Sequence, residues 1–401
     1  MLKIVHLSDT HLGYLGQGIQ RLVEDPWQPG AQIRQQELDL MHGLVEAVDL
    51  ILENVKPHLV VHSGDLFDGA RPTARMLNFA MTQIGRLSMD GIPVVLIEGN
   101  HSFPRDRSQG HVLHLFSHLS GVRVVCEEPD IIRVGDIIVH AYPHRALALG
   151  RRPAHRDIQD SSFRMLLAHG VADGHEFFKT GRPASDLPVE GCADWYDYVG
   201  LGHCHRFAQV PGTGCAFYAG STGMVSWGDF RPNHTFGFNV VSLDDSGLVV
   251  KRELIETRLM HAYGLDNAEG LTSKEVLTLL ALQAKAVSPS EAYCRVVVEN
   301  MDPLARRELS SRQVEEIFAG AASLLVSLRA RQQHWDAVRA DLAEGGTPEA
   351  RFAQLVAQTD GDQTFREEVL KLGQDLLCRA YEKIGAEDTS VEGDDEAGGN
   401  A

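Results

Sequence analysis

None of the six cysteines (Cys126, Cys192, Cys204, Cys215, Cys294, Cys378) forms a Cys-x-x-Cys pair, so neither a zinc knuckle nor a disulfide framework organises this chain. They are expected to be reduced and mostly structural. Long apolar runs are also missing, and the first polar cluster follows Met1 almost directly, unlike a secretory leader. A cytoplasmic location without a membrane partner is expected. Basic charge is scarce: 37 Lys and Arg against 55 Asp and Glu leave a net −18. That excludes a generally basic nucleic-acid coat but not one local groove. Residues 386–401 lack Lys, Arg and aromatics while carrying Glu387, Asp388, Glu392, Asp394, Asp395 and Glu396. A disordered acidic tail is expected there.

What is present suffices for a large core: 401 residues, 43% of them apolar, imply two or three domains. Lys3 to Leu7 reads as a buried strand, and Gly13 to Gly30 as a long loop. Helical spacing of Leu38, Met41, Val45, Val48, Leu52 and Val55 predicts a helix over 33–55 ended by Pro57, and Leu77, Met81, Ile84 and Leu87 predict another over 74–89. From Val122 the pattern changes to short strands, which predicts a two-sheet β-sandwich flanked by helices, an α/β (α+β) fold. This first domain should cover 1–260. Met260 to Gly270 reads as a connector, and 271–343 as a small α/β cap whose helix at Ser310 opens with the capping box Ser310-x-x-Gln313. The stripe of Phe365, Val369, Leu372, Leu376 and Tyr381 then predicts a helical hairpin over 347–385.

Chemistry concentrates where apolar strands stop. Leu2-Lys3-Ile4-Val5 runs into Asp9-Thr10-His11, Leu59-Val60-Val61 into Gly64-Asp65, and Val94-Val95-Leu96-Ile97 into Gly99-Asn100-His101. Met165-Leu166-Leu167 runs into His169-Gly170, and Tyr198-Val199-Gly200-Leu201 into Gly202-His203-Cys204-His205. Each ending alone is ordinary turn chemistry, and a single His is more often structural than ligating. Repetition at five strand ends is not ordinary. The carboxylate, imidazole and amide donors, with no required thiolate, suit two adjacent divalent cations joined by one carboxylate. Such a pair polarises a phosphoryl group and acidifies water, which is what phosphodiester cleavage needs.

In order and content these segments resemble the motifs of the calcineurin-like metallophosphoesterases. The Leu12-Gly13 after His11 and the Leu66-Phe67-Asp68 after Asp65 further resemble the SbcD-type DNA repair exonuclease subunits, partners of an SMC-like ABC-type ATPase of the SbcC type. The resemblance implies that Asp9, His11 and His205 hold one metal, that Asn100, His169 and His203 hold the other, and that Asp65 bridges them. It implies His101 as the catalytic residue that contacts the scissile phosphate, and Mn2+ as the usual ion. Ser102 stands where the family has Asp, which implies a His101 less firmly held and less basic. DNA is the implied substrate, and a homodimer is possible. The motifs alone fit equally a phosphatase or phosphodiesterase for small substrates, or a non-catalytic metal-binding adaptor.

Two further surfaces are expected. Arg145, Arg151, Arg152 and Arg156 fall in a stretch, 137–156, that has no Asp or Glu within an acidic chain, and are candidates for tracking a phosphate backbone; the alternative is a solvated Arg-rich loop. Phe365 and Leu372 on the hairpin stripe are candidates for docking the ATPase, the alternative being internal packing.

Overall fold

The computed structural model describes residues 2–102, 110–153, 163–172, 187–189, 191–231, 234–244 and 247–331, with 352–353, 356–357, 363–364 and 366–374. The strands are β1 Leu2–Leu7, β2 Ile19–Gln20, β3 Leu22–Glu24, β4 Gln32–Arg34, β5 Leu59–His62, β6 Val94–Ile97, β7 Val122–Val125, β8 Asp130–Val134 and β9 Ile137–Tyr142. They continue as β10 Phe163–His169, β11 Tyr198–Gly202, β12 Ala208–Gln209, β13 Ala216–Tyr218, β14 Phe236–Asp244, β15 Gly247–Ile255, β16 Met260–Leu265, β17 Tyr293–Met301 and β18 Ser323–Ala330. The helices are α1 Gln35–Leu50, α2 Ala74–Met89, α3 His144–Ala148, α4 Ser273–Ala286, α5 Pro303–Glu308 and α6 Ser311–Ile317.

Two six-stranded sheets, ordered β15-β14-β1-β5-β6-β7 and β12-β13-β11-β10-β9-β8, form the sandwich that the strand pattern predicts. Within the first, β1, β5, β6 and β7 are parallel; within the second, β9, β10, β11 and β13 are parallel. Alternation along each strand divides its side chains between two cores. Ile4, Leu59, Val61, Val95 and Ile97 meet Val139, Met165 and Leu167 between the sheets, whereas Val5, Leu7, Val60, Val94 and Leu96 face the helices. α1 covers that outer face with Leu38, Met41, Leu44 and Val48, and α2 with Met76, Phe79, Ile84 and Leu87. The first helix starts at Gln35 rather than Ile33 because Gln32–Arg34 is engaged as β4 with β3. Its last turn widens over Ile51–Val55 before Lys56, at φ 48°, and Pro57 end it.

A third sheet, ordered β16-β17-β18-β2, corrects two expectations. Met260 to Gly270 is not simply a connector, since it opens with β16, parallel to β17. Gly264 disguises the strand: at φ +147° it lies where any side chain would strike the Val297 backbone. The loop 13–30 is not wholly irregular either, because β2 pairs antiparallel with β18 and Gln20 Nε2 donates to Ser323 Oγ at 2.6 Å. α4, α5 and α6 cover one face of this sheet around Val276, Leu280, Val296, Val314 and Phe318. The Ser310 and Gln313 capping box is formed, as is one at Thr272 and Glu275. α5 is absent from the sequence-based expectation, and the helix expected at Ser310 is α6, Ser311–Ile317.

The chain divides into two compact units, Met1–Ala330 and Arg331–Ala401. The third sheet starts at Met260 and takes one strand, β2, from the N-terminal region; residues 332–343 of the cap expected over 271–343 lie outside the described residues. Of the second unit, 366–374 is helical; the tail 386–401 lies outside the described residues. Among the described residues no helix is long and apolar enough to cross a membrane.

Candidate metal centre

Parallel strands present their carboxyl ends together, and five neighbours here do so from two sheets. Asp9 and His11 follow β1, Asp65 follows β5, Asn100 follows β6, His169 closes β10, and His203 and His205 follow β11. A strand continued straight would send successive side chains to opposite faces. Left-handed turns prevent this: φ is 50° at Asp9, 47° at His11, 54° at Asp65 and 93° at His203. Each non-glycine residue there costs roughly 1–2 kcal/mol, offset by bonds such as Asp9 N–H to the Gly64 carbonyl, 3.1 Å, and His11 N–H to the Asp65 carbonyl, 3.0 Å. Gly99 has to be glycine, because a Cβ would overlap the Asp65 carboxylate.

The turns gather the donors. Ligand atoms of Asp9, His11 and His205 lie within 4.8 Å of one another, as do those of Asp9, Asp65 and His169. Asp65 Oδ2 stands between two rings, 3.8 Å from His11 Nε2 and 3.2 Å from His169 Nε2. Asn100 Oδ1 lies 2.9 Å from both His169 Nε2 and His203 Nδ1. His11 Nε2 is buried without a hydrogen-bond partner, a donor atom aimed into a cluster of carboxylates. Nitrogen and oxygen donors in this arrangement fit two divalent cations.

Electrostatics here are those of a cluster strained by its own charge. Burial works against a charged His169, but Asp65 beside it prevails and raises the His169 pKa to about 9. Asp65 is correspondingly held well below the usual carboxylate range, its own burial being overcome by His169. For His203, burial and then the neighbouring His169 push the pKa down to about 4. Backbone and polar contacts fix the rings: the Ser63 carbonyl accepts His169 Nδ1–H at 2.7 Å, and Thr10 Oγ1 meets His62 Nε2 at 2.8 Å.

His101 sits at the rim, its ring 4.7 Å from that of His11. Its N–H donates to Asp65 Oδ1 at 2.9 Å, and its Nδ1–H donates to the Asp68 carbonyl at 3.0 Å with the Asp68 carboxylate 3.5 Å away. The hydrogen bond to Asp68 raises the His101 pKa to about 9. This overturns the weakness inferred from Ser102: Asp68 holds His101 and makes it more basic. Asp68 Oδ1 also takes the His11 Nδ1 proton at 3.1 Å. Asp68 lay inside a recognised segment without being singled out; Asp229, 3.0 Å from His205 Nδ1, gave no sequence signal. His144, whose ring stacks over His203 at 6.3 Å, is likewise part of this neighbourhood.

Three of the four arginines lie among the described residues. Arg151 pairs with Glu128, Arg152 donates to the Leu147 and Arg151 carbonyls, and Arg145 is among the charges acting on Glu98. Arg156 and Phe365 lie outside the described residues, whereas Leu372 is 64% exposed. A separate trio, Glu98, His111 and Cys126, also has its donor atoms within 4.8 Å. His111 Nδ1 accepts the Leu113 N–H at 3.2 Å, so the neutral ring carries its proton on Nε2, 3.6 Å from Glu98. That distance is too long for a hydrogen bond, and among the described residues His111 Nε2 and Glu98 Oε1 are both buried without a partner.

The calcineurin-like phosphoesterase family matches residues 2–220, more than half of the chain and every strand tip described above. The chain belongs to this family. Calcineurin-like phosphoesterases are hydrolases that use divalent metals, and the gathered donors agree with that chemistry. The chain is 24% identical over 317 residues to the DNA double-strand break repair protein Mre11 of Methanococcus maripaludis, covering 75% of this chain and 79% of that one. It is 29% identical over 266 residues to the protein of the same name from Haloferax volcanii, covering 64% and 53%. The uncharacterized metallophosphoesterase YhaO of Bacillus subtilis is 28% identical over 219 residues, covering 51% and 49%. The chain thus spans about half the length of the last two relatives.

Proposed function

We propose that this phosphoesterase is the nuclease subunit of a DNA repair assembly, cutting DNA phosphodiester bonds with two Mn2+ ions and acting with an SMC-like ATPase. The observation that carries the reading is the position of the Asp65 carboxylate between His11 and His169, with Asp9 and His205 on one side and Asn100 and His203 on the other. The names of the Mre11 relatives support DNA as the substrate. Asp9, His11 and His205 would hold one ion, Asn100, His169 and His203 the second, and Asp65 both. The ions supply phosphoryl polarisation and a nucleophile at neutral pH.

The chain's own residues do the rest. His101, with Nδ1 tied to Asp68, turns its other nitrogen towards a bound phosphodiester and carries the proton that the departing oxygen needs. Asp68 keeps that ring oriented and protonated. Linear duplex DNA and an aryl phosphodiester, each assayed with Mn2+ and with chelator, test the proposal. DNA should be cut only with metal, and Asp65→Ala should lose both bound ions and all cleavage. Cleavage of the aryl ester alone would leave a small-substrate phosphodiesterase, and two ions retained by Asp65→Ala would refute the bridge.

A further inference from the structure

The loop between β13 and β14 has no part in the ligand set, yet it touches both that set and the third sheet. Met224 and Val225 are anchored to α1, their carbonyls accepting the Gln36 side-chain N–H groups at 2.9 and 3.2 Å. Trp227 and Phe230 pack together, ring centres 5.4 Å apart. Their cluster includes Met260 of β16, Tyr293 of β17 and Leu325 of β18. Trp227 Nε1–H also donates to the Gln17 carbonyl at 3.3 Å, in the segment leading to β2. Four strands of one sheet therefore bear on two aromatic side chains, directly or through the segment entering β2.

Between those aromatics the chain turns Asp229 towards the metal centre. Its Oδ2 accepts His205 Nδ1–H at 3.0 Å and is itself fixed by Ser226, through N–H at 2.8 Å and Oγ at 3.3 Å. The Asp229 side chain is only 11% exposed. A carboxylate that takes the Nδ1 proton sets the tautomer, leaves Nε2 as the lone-pair donor and fixes the ring plane. The His205 backbone is held from the same side, its carbonyl accepting from Ser221 N–H at 2.9 Å and His234 Nε2–H at 3.3 Å.

We infer that the 226–230 loop is a positioning device: Asp229 aims His205 at its cation, and Trp227 and Phe230 make that aim depend on where the third sheet rests. The inference builds on the reading of His205 as a ligand. Asp229 touches no substrate, so its effect passes wholly through His205. A shift of the third sheet would move the aromatic pair and the Asp229 backbone between them, and would loosen one cation while sparing the other.

Mn2+ titration of the metal-free full chain by calorimetry tests this, with thermal unfolding of the same metal-free samples as the control. Wild type should bind two ions; fewer would overturn the ligand assignment itself. Asp229→Asn should weaken one site about 10–100-fold and leave the other site and the unfolding temperature unchanged. Asp229→Glu should recover part of the loss. Phe230→Ala should weaken the same site by a smaller factor. Two wild-type affinities in Asp229→Asn would overturn the role of Asp229. If the amide variant does not fold, Asp229→Ser, which removes the carboxylate but keeps a small polar side chain, is titrated instead, and wild-type affinity at both sites would overturn it equally. Weakening by Asp229→Asn but not by Phe230→Ala would overturn the dependence on the third sheet.

Discussion

Asp68 serves two rings at once, accepting from His11 with its carboxylate and from His101 with its backbone carbonyl. That double service explains how a chain with Ser102 after His101 keeps a protonated His101. His101→Ala should lower DNA cleavage about 10²–10⁴-fold with two Mn2+ still bound, and Asp68→Asn about 10–100-fold. Ser102 is fully buried and, among the described residues, its hydroxyl has no hydrogen-bond partner, so Ser102→Asp would have to bury a carboxylate there. Turnover of Ser102→Asp should not rise, and its unfolding temperature should fall by more than about 5 °C; a faster, equally stable variant would restore the original reading of Ser102. The seven candidate ligands were legible because each ends an apolar strand. Asp68 and Asp229 were not, since what distinguishes them is a ring brought near by folding.

At the scale of elements, α1 and α2 were legible for a local reason: one buried stripe at helical spacing. β2 and β16 were not, because a two-residue strand has no period and Gly264 looks like a turn until Val297 lies against it. What keeps β2 in place is also non-local. Arg21 and Arg258 both reach Glu291, and Arg258 meets Asp39 of α1, so one small network ties the first strands to the third sheet. Its hydrogen bond with Arg21 holds the Glu291 pKa at about 2 against an ordinary 4.5. A depressed carboxylate stabilises the fold fully above 4.5 and loses that contribution as pH falls towards 2. Glu291 is 58% exposed, so solvent screening limits the effect to about 1 kcal/mol or less. Chemical denaturation at pH 7 and pH 3 should therefore show a larger deficit of Glu291→Gln relative to wild type at the higher pH. An equal deficit at both would mean that packing, not charge, is lost.

At the scale of the whole molecule, the metal centre and the third sheet share one compact unit that closes with β18, and the second unit begins at Arg331. All seven candidate ligands, His101, Asp68 and Asp229 lie in the first unit, so its chemistry has no need of residues beyond Ala330. Leu372 in the second unit is 64% exposed, so a charge placed there would leave that unit's own packing intact. Ending the chain at Ala330 should therefore leave two bound Mn2+ ions and basal DNA cleavage while abolishing co-purification with the SMC-like ATPase. Leu372→Glu in the full chain should do the same, because a charge buried unpaired at an interface is costly. Loss of metal binding on truncation would mean that the second unit supports the first, and undiminished co-purification of Leu372→Glu would remove that side chain from the docking surface.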